Sequence, residues 1–383
     1  MDLLRESDAL HARVQALARA WDRRIAAPES FDAIATDIVR HQMRYIPGVR
    51  RLIEASARAS LAPDMIPAVP VDAFRLARIA AHPPELDVVR FRTSGTTSGA
   101  PGVHAMRTTE TYRALCLAMG RRALFSAWDG PAVVVALAPA PGATPTSSLG
   151  FMMAAFMDEF DGRALGGEGV FDVNAPERWL FGDDGVHLAG LRRAARIASE
   201  RNEPFVVLAT GFALVALLDA LDGATLGEEA PTRTVVMSTG GLKGRTRTIE
   251  PSELTRATAR AFGVPEAHVV GEYGMTELAS QLYEGTLPGG ALRSARNVYV
   301  APPWLEVTPV DPATLAPVAL GDVGIARFVD LGNVDFPLAI LTEDLVRRRG
   351  DGIELVGRRQ GAPLRGCSLA IEEMALSPGP VAS

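Results

Sequence analysis

The stretch RTSGTTSGAPG, residues 92–102, combines hydroxyl side chains with glycines directly after LDVVRF, an apolar run with the pattern of a strand. Glycines let the backbone approach a phosphate, and consecutive N–H groups with Ser and Thr hydroxyls then donate hydrogen bonds to its oxygens. A plain Ser- and Gly-rich surface turn would have the same composition. The phosphate-cradle interpretation assigns this role to Thr93, Ser94, Gly95, Thr96, Thr97, Ser98 and Gly99.

Outward from this stretch, strand-like apolar runs alternate with helical segments. Thr108 or Thr109 is placed to cap a helix that runs to about Phe125, and strands follow in PAVVVALAPAP, PFVVLAT, RTVVMSTGG and AHVVGEYG. This alternation predicts an α/β fold with a largely parallel sheet, whose ligands bind at the carboxyl ends of the strands. We therefore expect three loops on one rim: the opening stretch, STGG at residues 238–241 and GEYGMTE at residues 271–277.

The composition excludes several classes of protein. The 383 residues are 48% hydrophobic, which suffices for one large core or two moderate ones, and the net charge is −6. An acidic chain argues against nucleic acid or an anionic membrane as the main partner. Two cysteines, Cys116 and Cys367, cannot build a disulfide framework or a four-thiolate zinc site. With no secretion signal and no apolar run that could cross a bilayer, we expect a soluble, cytoplasmic protein.

The pattern divides the chain into three segments. Residues 1–60 are helical throughout and predict an N-terminal helical cap. Residues 61–356 hold the alternating strands and helices, and from about residue 299 short strands indicate a smaller antiparallel or barrel-like part. Residues 357–383 are interpreted as a truncated hinge and tail.

The loop GEYGMTE combines a phenol, a hydroxyl and a carboxylate in a short turn. These groups can stack on a purine, contact a phosphate and hold Mg²⁺. An ordinary strand-to-helix turn, in which Thr276 and Glu277 begin a capping arrangement, is the alternative.

Together these motifs resemble those of the adenylate-forming superfamily, which includes acyl-CoA synthetases, luciferases and the adenylation domains of peptide synthetases. The superfamily's TSGTTGxPKG loop is matched by residues 93–102, its YGxTE turn by residues 273–277 and its TGD element by residues 342–344. Its GR…RG hinge is matched within residues 357–366. The resemblance implies the superfamily's large N-terminal α/β domain, with layered sheets, helices and a small β-rich element, and a mobile C-terminal domain that is nearly absent.

The resemblance also implies a role for each matched residue. Tyr273 would lie against adenine, Thr276 would contact the α-phosphate, Glu277 would bind Mg²⁺, and Asp344 would hold the ribose hydroxyls with help from Arg358. A carboxylate can accept from two hydroxyls, and a guanidinium donates in a fixed fork. The implied cofactors are ATP and Mg²⁺. Beyond the phosphate cradle, the nucleotide-binding candidates are Ser238, Thr239, Gly240, Gly241, Glu272, Tyr273, Gly274, Met275, Thr276, Asp344 and Arg358.

The chain departs from the superfamily pattern in three places. Gly102 and Val103 stand where Lys and Gly are usual, so the cation for the leaving pyrophosphate has to be Mg²⁺ or another side chain, with Arg107 and His104 as candidates. Residues 144–151, TPTSSLGF, offer serines where many relatives carry a His or an aromatic group beside the acyl carboxylate. Only 17 residues follow Gly366, so we expect no counterpart for the lysine that the second domain brings in the superfamily.

Cys367 follows the hinge directly. The acyl-protein synthetases of the bacterial luminescence system lack the full second domain and carry an acyl group on a cysteine near the C-terminus, and LRGCSLAIEE resembles that branch. Arg358, Arg359 and Arg365 are close enough in sequence to lower the pKa of the thiol, which would make it a better nucleophile. The alternative for Cys367 is a small packed residue in a terminal strand, as we expect for Cys116 in the apolar YRALCLAMG.

The sequence therefore predicts an acid–thiol ligase. A carboxylic acid, fatty or aromatic, attacks the α-phosphate of ATP to give an acyl-adenylate, and Cys367 then takes the acyl group, with Thr276 and Glu277 completing the catalytic set. The alternatives are a phenylacetate-CoA-ligase-like activator that uses CoA or a carrier protein, and a nucleotide-binding module without catalysis. The resemblance implies an acyl-acceptor protein, such as a reductase or a carrier protein, as partner.

Overall fold

Helices and strands alternate along the chain. The computed structural model describes residues 2–56, 61–93, 102–142, 146–166, 169–240 and 249–359. The α-helices in these residues are α1 (Asp2–Asp22), α2 (Phe31–Tyr45), α3 (Pro47–Ala55), α4 (Ala73–Leu76), α5 (Glu110–Gly120), α6 (Ser148–Phe160), α7 (Leu188–Glu200), α8 (Gly211–Leu221) and α9 (Pro251–Phe262). None of the helices in the described ranges combines the length and the apolar character that a membrane span requires.

The strands are mostly short. They are β1 (Val69–Pro70), β2 (Val89–Arg92), β3 (Val103–Met106), β4 (Val133–Leu137), β5 (Phe181–Gly182), β6 (Gly185–Val186), β7 (Phe205–Thr210), β8 (Thr234–Thr239), β9 (Val269–Tyr273), β10 (Leu282–Glu284), β11 (Val298–Val300), β12 (Leu305–Val310), β13 (Val323–Asp330), β14 (Ala339–Arg349) and β15 (Gly352–Arg358).

The chain forms two compact units. The first contains Met1–Ala118, Met275–Gln281 and Ala301–Ser383, and the second contains Met119–Gly274 and Leu282–Val300. The three segments expected from the sequence pattern remain a prediction.

The second unit contains the parallel sheet that the alternating pattern predicts. Strands β4, β7, β8 and β9 are parallel neighbours in that order, and β10 and β11 continue the sheet antiparallel. All five residues of β4 are buried, since helices cover the sheet: Val133 and Val135 belong to one core cluster with Leu191 of α7 and Leu214 of α8. An unbroken β-branched run is typical of a strand buried on both faces, and the strand predicted in PAVVVALAPAP is confirmed.

The helix predicted from Thr108 or Thr109 to about Phe125 is also confirmed. The amide of Glu110, at the start of α5, donates to Thr108 Oγ1 over 3.3 Å, and a π-helical turn continues α5 to Phe125. Gly263 follows α9 in the left-handed conformation, with φ +67°, and its amide donates to the carbonyl of Arg260 over 3.1 Å. A hydroxyl near the first turn and a glycine after the last turn are local signals, so the sequence reveals both.

The first unit holds the antiparallel part expected after residue 299. Strands β12, β13, β14 and β15 pair in sequence order, each antiparallel to the next, and β1 pairs parallel with β14. Pairing of neighbours in sequence is the simplest outcome for short strands joined by tight turns.

The expectation that the opening stretch follows a strand of the parallel sheet is wrong. Strand β2 pairs antiparallel with β3, with Phe91 opposite His104, so residues 93–102 connect the two strands of a hairpin. The amide of Thr93 donates to the carbonyl of Gly102 over 3.0 Å, and the amide of Gly102 donates to Thr93 Oγ1 over 2.8 Å. The second strand is VHAM, residues 103–106, which is too short for its pattern to predict a strand.

A buried carboxylate connects distant parts of the first unit. Asp335 accepts hydrogen bonds from Ser7 Oγ at 2.7 Å and Arg107 Nε at 3.4 Å, and its oxygens lie 3.2 Å from His11 Nε2 and 3.3 Å from His41 Nε2. Burial by itself would raise the pKa of Asp335, but the hydrogen bonds from the two histidines and the serine hold it well below its usual range. The charged carboxylate thereby ties α1 and α2 to the segment at residues 330–338.

Replacing Asp335 by Ala should lower the free energy of unfolding by about 3–5 kcal/mol, because Arg107 and His41 then lose a buried acceptor. Urea unfolding at pH 7 measures the change. The control is Asp351→Ala in the exposed turn between β14 and β15, which should stay within about 0.5 kcal/mol of the wild type. Because the pKa of Asp335 is lowered on folding, its contribution is present above about pH 4 and is lost as the pH falls through the folded value. Equal losses in both variants would contradict the role of Asp335.

Candidate functional site

Two of the predicted loops begin at the same edge of the parallel sheet. Strands β8 and β9 are parallel neighbours, and at their carboxyl ends Ser238 pairs with Gly271 and Thr239 with Glu272. The expectation that these two loops share a rim is therefore confirmed for the described residues; Gly241 lies outside them. Ligands of such sheets bind at this edge, so the second unit presents the start of a site here.

Glu272 has unusual electrostatics at this edge. Its side chain is buried, and Thr239 Oγ1 donates to its Oε2. Burial raises the pKa of Glu272 to about 7, against the opposing effect of the hydrogen bond from Thr239. The carboxyl group is consequently neutral below pH 7 and can donate a hydrogen bond as well as accept one.

Tyr273 is half-buried at the end of β9, and its ring meets that of Tyr299 edge to face at 6.5 Å between centroids. Tyr299 and Glu284 leave no room for a side chain at position 271, which explains the glycine there. A Cβ on Gly271 would lie 2.7 Å from the hydroxyl of Tyr299. The amide of Gly271 donates to Glu284 Oε2 over 2.9 Å. Sequence reasoning missed Tyr299 and Glu284, since no motif includes them.

In the first unit, Thr276 and Glu277 are the central residues of a turn closed by the amide of Leu278, which donates to the carbonyl of Met275 over 3.2 Å. Thr276 is half-buried and Glu277 is buried. No helix follows this turn, because the next element along the chain is β10. The alternative in which these two residues begin the capping of a helix is therefore wrong.

The structure brings Asp344 and Arg358 together, as partners in register on β14 and β15. The Asp344 amide donates to Thr342 Oγ1 over 3.1 Å. The Arg358 side chain is 52% exposed, and its Nε is 4.0 Å from Glu343 Oε2. A long ion pair at an exposed site contributes little, so this guanidinium can turn to a ligand.

Neither candidate replacement for the missing loop lysine supplies a free cation. His104 is buried, its ring lies 3.9 Å from that of Phe336, and neither ring nitrogen has a partner among the described residues. Burial lowers the pKa of His104 to about 3, so it is neutral. Arg107 is held by Ser7, with Nη2 2.7 Å from its Oγ, and by Asp335. The interpretation of these two residues as phosphate ligands is wrong, because His104 is buried and neutral and the half-buried guanidinium of Arg107 is already bound by Ser7 and Asp335.

Of the two cysteines, Cys116 lies within the described residues and Cys367 does not. Cys116 is buried in α5, its Sγ lies 3.2 Å from the carbonyl of Arg113, and burial raises its pKa to about 12. This thiol is inert core, as predicted. Cys367 lies outside the described residues, as do Arg365 and, in the phosphate cradle, Ser94, Gly95, Thr96, Thr97, Ser98 and Gly99.

Helix α6 begins with the serines expected beside the acyl carboxylate. Ser147 caps the helix, accepting from the amide of Gly150 over 3.1 Å. Met152 and Phe156 of the same helix are buried in the core, and the hydroxyl of Tyr283 lies 3.6 Å from Met152 Sδ. These contacts favour a packing role for the apolar residues of α6.

Among the described residues, no group of three or more His, Cys, Asp or Glu side chains could hold a metal ion. Mg²⁺ in nucleotide sites is commonly bound through one or two carboxylates together with phosphates and water, so a single carboxylate is compatible with it. Glu277, on its turn, fits that requirement.

Because folding raises the pKa of Glu272, the folded state holds a proton that the unfolded state releases between about pH 4.3 and pH 7. The resulting stabilisation is complete below that window and is lost as the pH rises through it. We expect the wild type to lose on the order of 1–3 kcal/mol relative to Glu272→Gln between pH 5 and pH 8.

Urea unfolding of both proteins across this range measures the difference. Glu253→Gln, on the exposed first turn of α9, is the matched control and should follow the wild type at every pH. Parallel curves for the wild type and Glu272→Gln would contradict the raised pKa.

Known proteins share parts of the sequence and most of the fold. No family model matches the chain. The long-chain-fatty-acid–luciferin-component ligase of Vibrio harveyi is 32% identical over 79 residues, which are 19% of this chain and 21% of the ligase. The corresponding ligase of Aliivibrio fischeri is also 32% identical over 79 residues, 18% of this chain and 21% of that protein. The match thus spans about a fifth of the length of these relatives.

The structural likeness extends much further. An open conformation of 2-hydroxyisobutyryl-CoA ligase, in complex with 2-HIB-AMP and CoA, superimposes with a TM-score of 0.57 at 15% identity, covering 88% of this chain and 76% of the ligase. Its postadenylation state, with R3-HIB-AMP, gives a TM-score of 0.58 at 14% identity and covers 85% and 67%. At such identities the likeness concerns the fold. The chain therefore shares the fold of these ligases.

Proposed function

We propose that the protein uses ATP to activate a carboxylic acid as an acyl-adenylate and then transfers the acyl group to a thiol, its own Cys367. The observation that carries the proposal is the fold likeness, over 88% of the chain, to a ligase that holds an acyl-adenylate and CoA. The local similarity to ligases of long-chain fatty acids supports the same class of reaction. A fatty and an aromatic acid both remain compatible with the residues.

The first step forms a mixed anhydride. A carboxylate oxygen of the acid attacks the α-phosphorus of ATP, the bond from that phosphorus to the bridging oxygen breaks, and pyrophosphate leaves. Thr276 donates its hydroxyl to an α-phosphate oxygen, and the hydroxyl-rich loop after Thr93 donates to the outer phosphates. Asp344 accepts from the ribose hydroxyls, with Arg358 beside it. Mg²⁺, when bound through Glu277, neutralises charge on the phosphates.

The second step conserves the activation in a thioester. The thiolate of Cys367 attacks the carbonyl carbon of the acyl-adenylate, the carbon–oxygen bond to the phosphate breaks, and AMP leaves. Cys367 is preferred over Cys116 as the acceptor because the latter thiol is buried in α5 with a raised pKa. The thioester would then pass to an acyl-acceptor protein such as a reductase or a carrier protein.

Two other functions use the same fold. An acyl activator of the phenylacetate-CoA-ligase type would transfer the acyl group to CoA or to a carrier protein, and the CoA bound to the 2-hydroxyisobutyryl-CoA ligase favours this alternative. A nucleotide-binding module would bind ATP without catalysis. Burial keeps His104 neutral and Arg107 is bound by Ser7 and Asp335, so the loop lysine has no replacement among the residues proposed for it, which favours the module.

Carboxylate-dependent exchange of pyrophosphate into ATP tests the first step. Glu277→Gln should lower the exchange rate at least about 10-fold, because the metal loses its carboxylate ligand. Glu253→Gln, exposed on α9, removes the same charge elsewhere and should leave the rate unchanged. A wild type that binds ATP but shows no exchange with any acid would identify the binding module instead.

Intact-protein mass spectrometry with ATP, Mg²⁺ and a panel of fatty and aromatic acids tests the second step. The wild type should gain the mass of the acid less one water, and Cys367→Ser should lose the hydroxylamine-sensitive thioester. Cys116→Ala is the control for the other cysteine in the sequence and should still be acylated. Full turnover of Cys367→Ser with added CoA would establish the CoA-dependent alternative.

A further inference from the structure

The turn that carries Thr276 and Glu277 is bound by side chains from a distant segment of the first unit. One backbone hydrogen bond, from the amide of Leu278 to the carbonyl of Met275, closes it. A single bond of this kind constrains the conformation of a β-turn only weakly, since many turns lack even that bond. A displacement of about 1 Å at a reacting group can cost two orders of magnitude in rate. The side chains that anchor the turn therefore matter for any chemistry at Glu277.

Asn333 is the most direct anchor. It is completely buried, and its Nδ2 donates to the carbonyl of Glu277 over 3.0 Å and to the carbonyl of Pro337 over 3.2 Å. Its Oδ1 accepts from the amide of Ala279 over 3.2 Å. Both donor hydrogens and the acceptor of the amide group are thus engaged. Two of the three bonds hold the backbone on either side of Leu278.

Asp330 provides a second anchor from the same segment. Ser280 Oγ donates to Asp330 Oδ1 over 2.7 Å, and the amide of Gly332 donates to the same oxygen over 2.9 Å. The approach is close, because a Cβ on Gly332 would lie 2.6 Å from the Cβ of Ala279. Only glycine leaves room for the chain to pass at this distance.

The anchoring segment is itself fixed by Gln42 of α2. Gln42 Nε2 donates to the carbonyls of Asn333 at 2.7 Å and Val334 at 3.1 Å, and it also contacts the carbonyl of Phe336. Its Oε1 accepts from the amide of Leu338 over 3.0 Å. A buried side-chain amide thus satisfies several backbone groups of a segment that has no secondary structure of its own.

We propose that Asn333 is a positioning residue for the Glu277 carboxylate: by holding the Glu277 carbonyl and the Ala279 amide, it sets the turn so that the carboxylate meets the metal ion of the bound nucleotide. This inference rests on the proposed function. Asn333 touches neither nucleotide nor metal; it acts through the backbone of the turn. A purely structural role predicts lower stability and nothing more, whereas positioning predicts a weaker response to Mg²⁺ in the folded protein.

The test compares Asn333→Ala with Ser7→Ala. Ser7 is equally buried in the first unit, and its hydroxyl bonds to Asp335 and Arg107 rather than to the turn. In pyrophosphate exchange we expect Asn333→Ala to raise the Mg²⁺ concentration for half-maximal rate about 10- to 100-fold, the effect typical of residues that orient a metal ligand. The KM for the acid should stay the same. Ser7→Ala should not change the Mg²⁺ requirement.

Hydrogen exchange provides a readout besides activity. Amides of residues 274–281 should exchange at least about 10-fold faster in Asn333→Ala than in Ser7→Ala, because the Ala279 amide loses its acceptor. If Asn333→Ala does not fold, Ser280→Ala removes only the hydroxyl that donates to Asp330. It should raise the Mg²⁺ requirement several-fold, and an unchanged requirement would refute the anchoring.

The two proposals fail in different ways. A wild type that catalyses no exchange with any acid refutes the proposed function, and the metal-positioning role with it. An active wild type whose Mg²⁺ requirement is unchanged in a folded Asn333→Ala refutes the positioning role alone, whatever the hydrogen exchange shows.

Discussion

A charge removed from water has to be surrounded by hydrogen-bond donors, and in the first unit this constraint centres on Asp335. Donors from α1, α2 and the residue after β3 converge on one carboxylate, so each of these elements has a single favourable place. Removing one partner would leave the others without a hydrogen bond in an interior that excludes water. Such networks therefore tolerate little change in the positions of their members. The N-terminal helices α1 and α2 therefore supply hydrogen-bond partners to a buried carboxylate as well as apolar contacts to the core.

The same segment that carries Asp335 also reaches the turn that holds the candidate metal ligand. Asn333 bonds to the backbone of that turn, Asp330 bonds to Ser280, and Gln42 fixes the segment from α2. Burial raises the pKa of Asp330 to about 6, while the hydroxyl of Ser280 and backbone amides oppose the rise. A continuous set of buried hydrogen bonds thus links the N-terminal helices to the turn within the first unit.

In the second unit, the buried carboxyl groups of Asp161 and Glu272 have different sets of hydrogen-bond partners. At strand β4, Asp161 forms an ion pair with Arg178 at 2.8 Å. Asp161 accepts from the amide of Val134, and Arg178 donates to the carbonyl of Val134. This pair completes the hydrogen bonding of a strand backbone. Glu272 has one hydroxyl donor, from Thr239, and its pKa rises to about 7. Incomplete compensation at the carboxyl end of a parallel strand makes Glu272 a candidate functional residue.

The sequence by itself determined several strands and helix ends and the set of candidate residues. Unbroken β-branched runs, the hydroxyl of Thr108 and the glycine at position 263 are local signals, so they predict strands and helix ends without knowledge of partners. Only the tertiary structure decided that the glycine-rich stretch joins the strands of a hairpin, and that His104 is a neutral core residue. It also decided which residues anchor the turn, because Gln42 and Leu338 are 296 positions apart. Partners of a buried polar group in an irregular segment follow no period, so nothing in the neighbouring residues reveals them until the chain has folded.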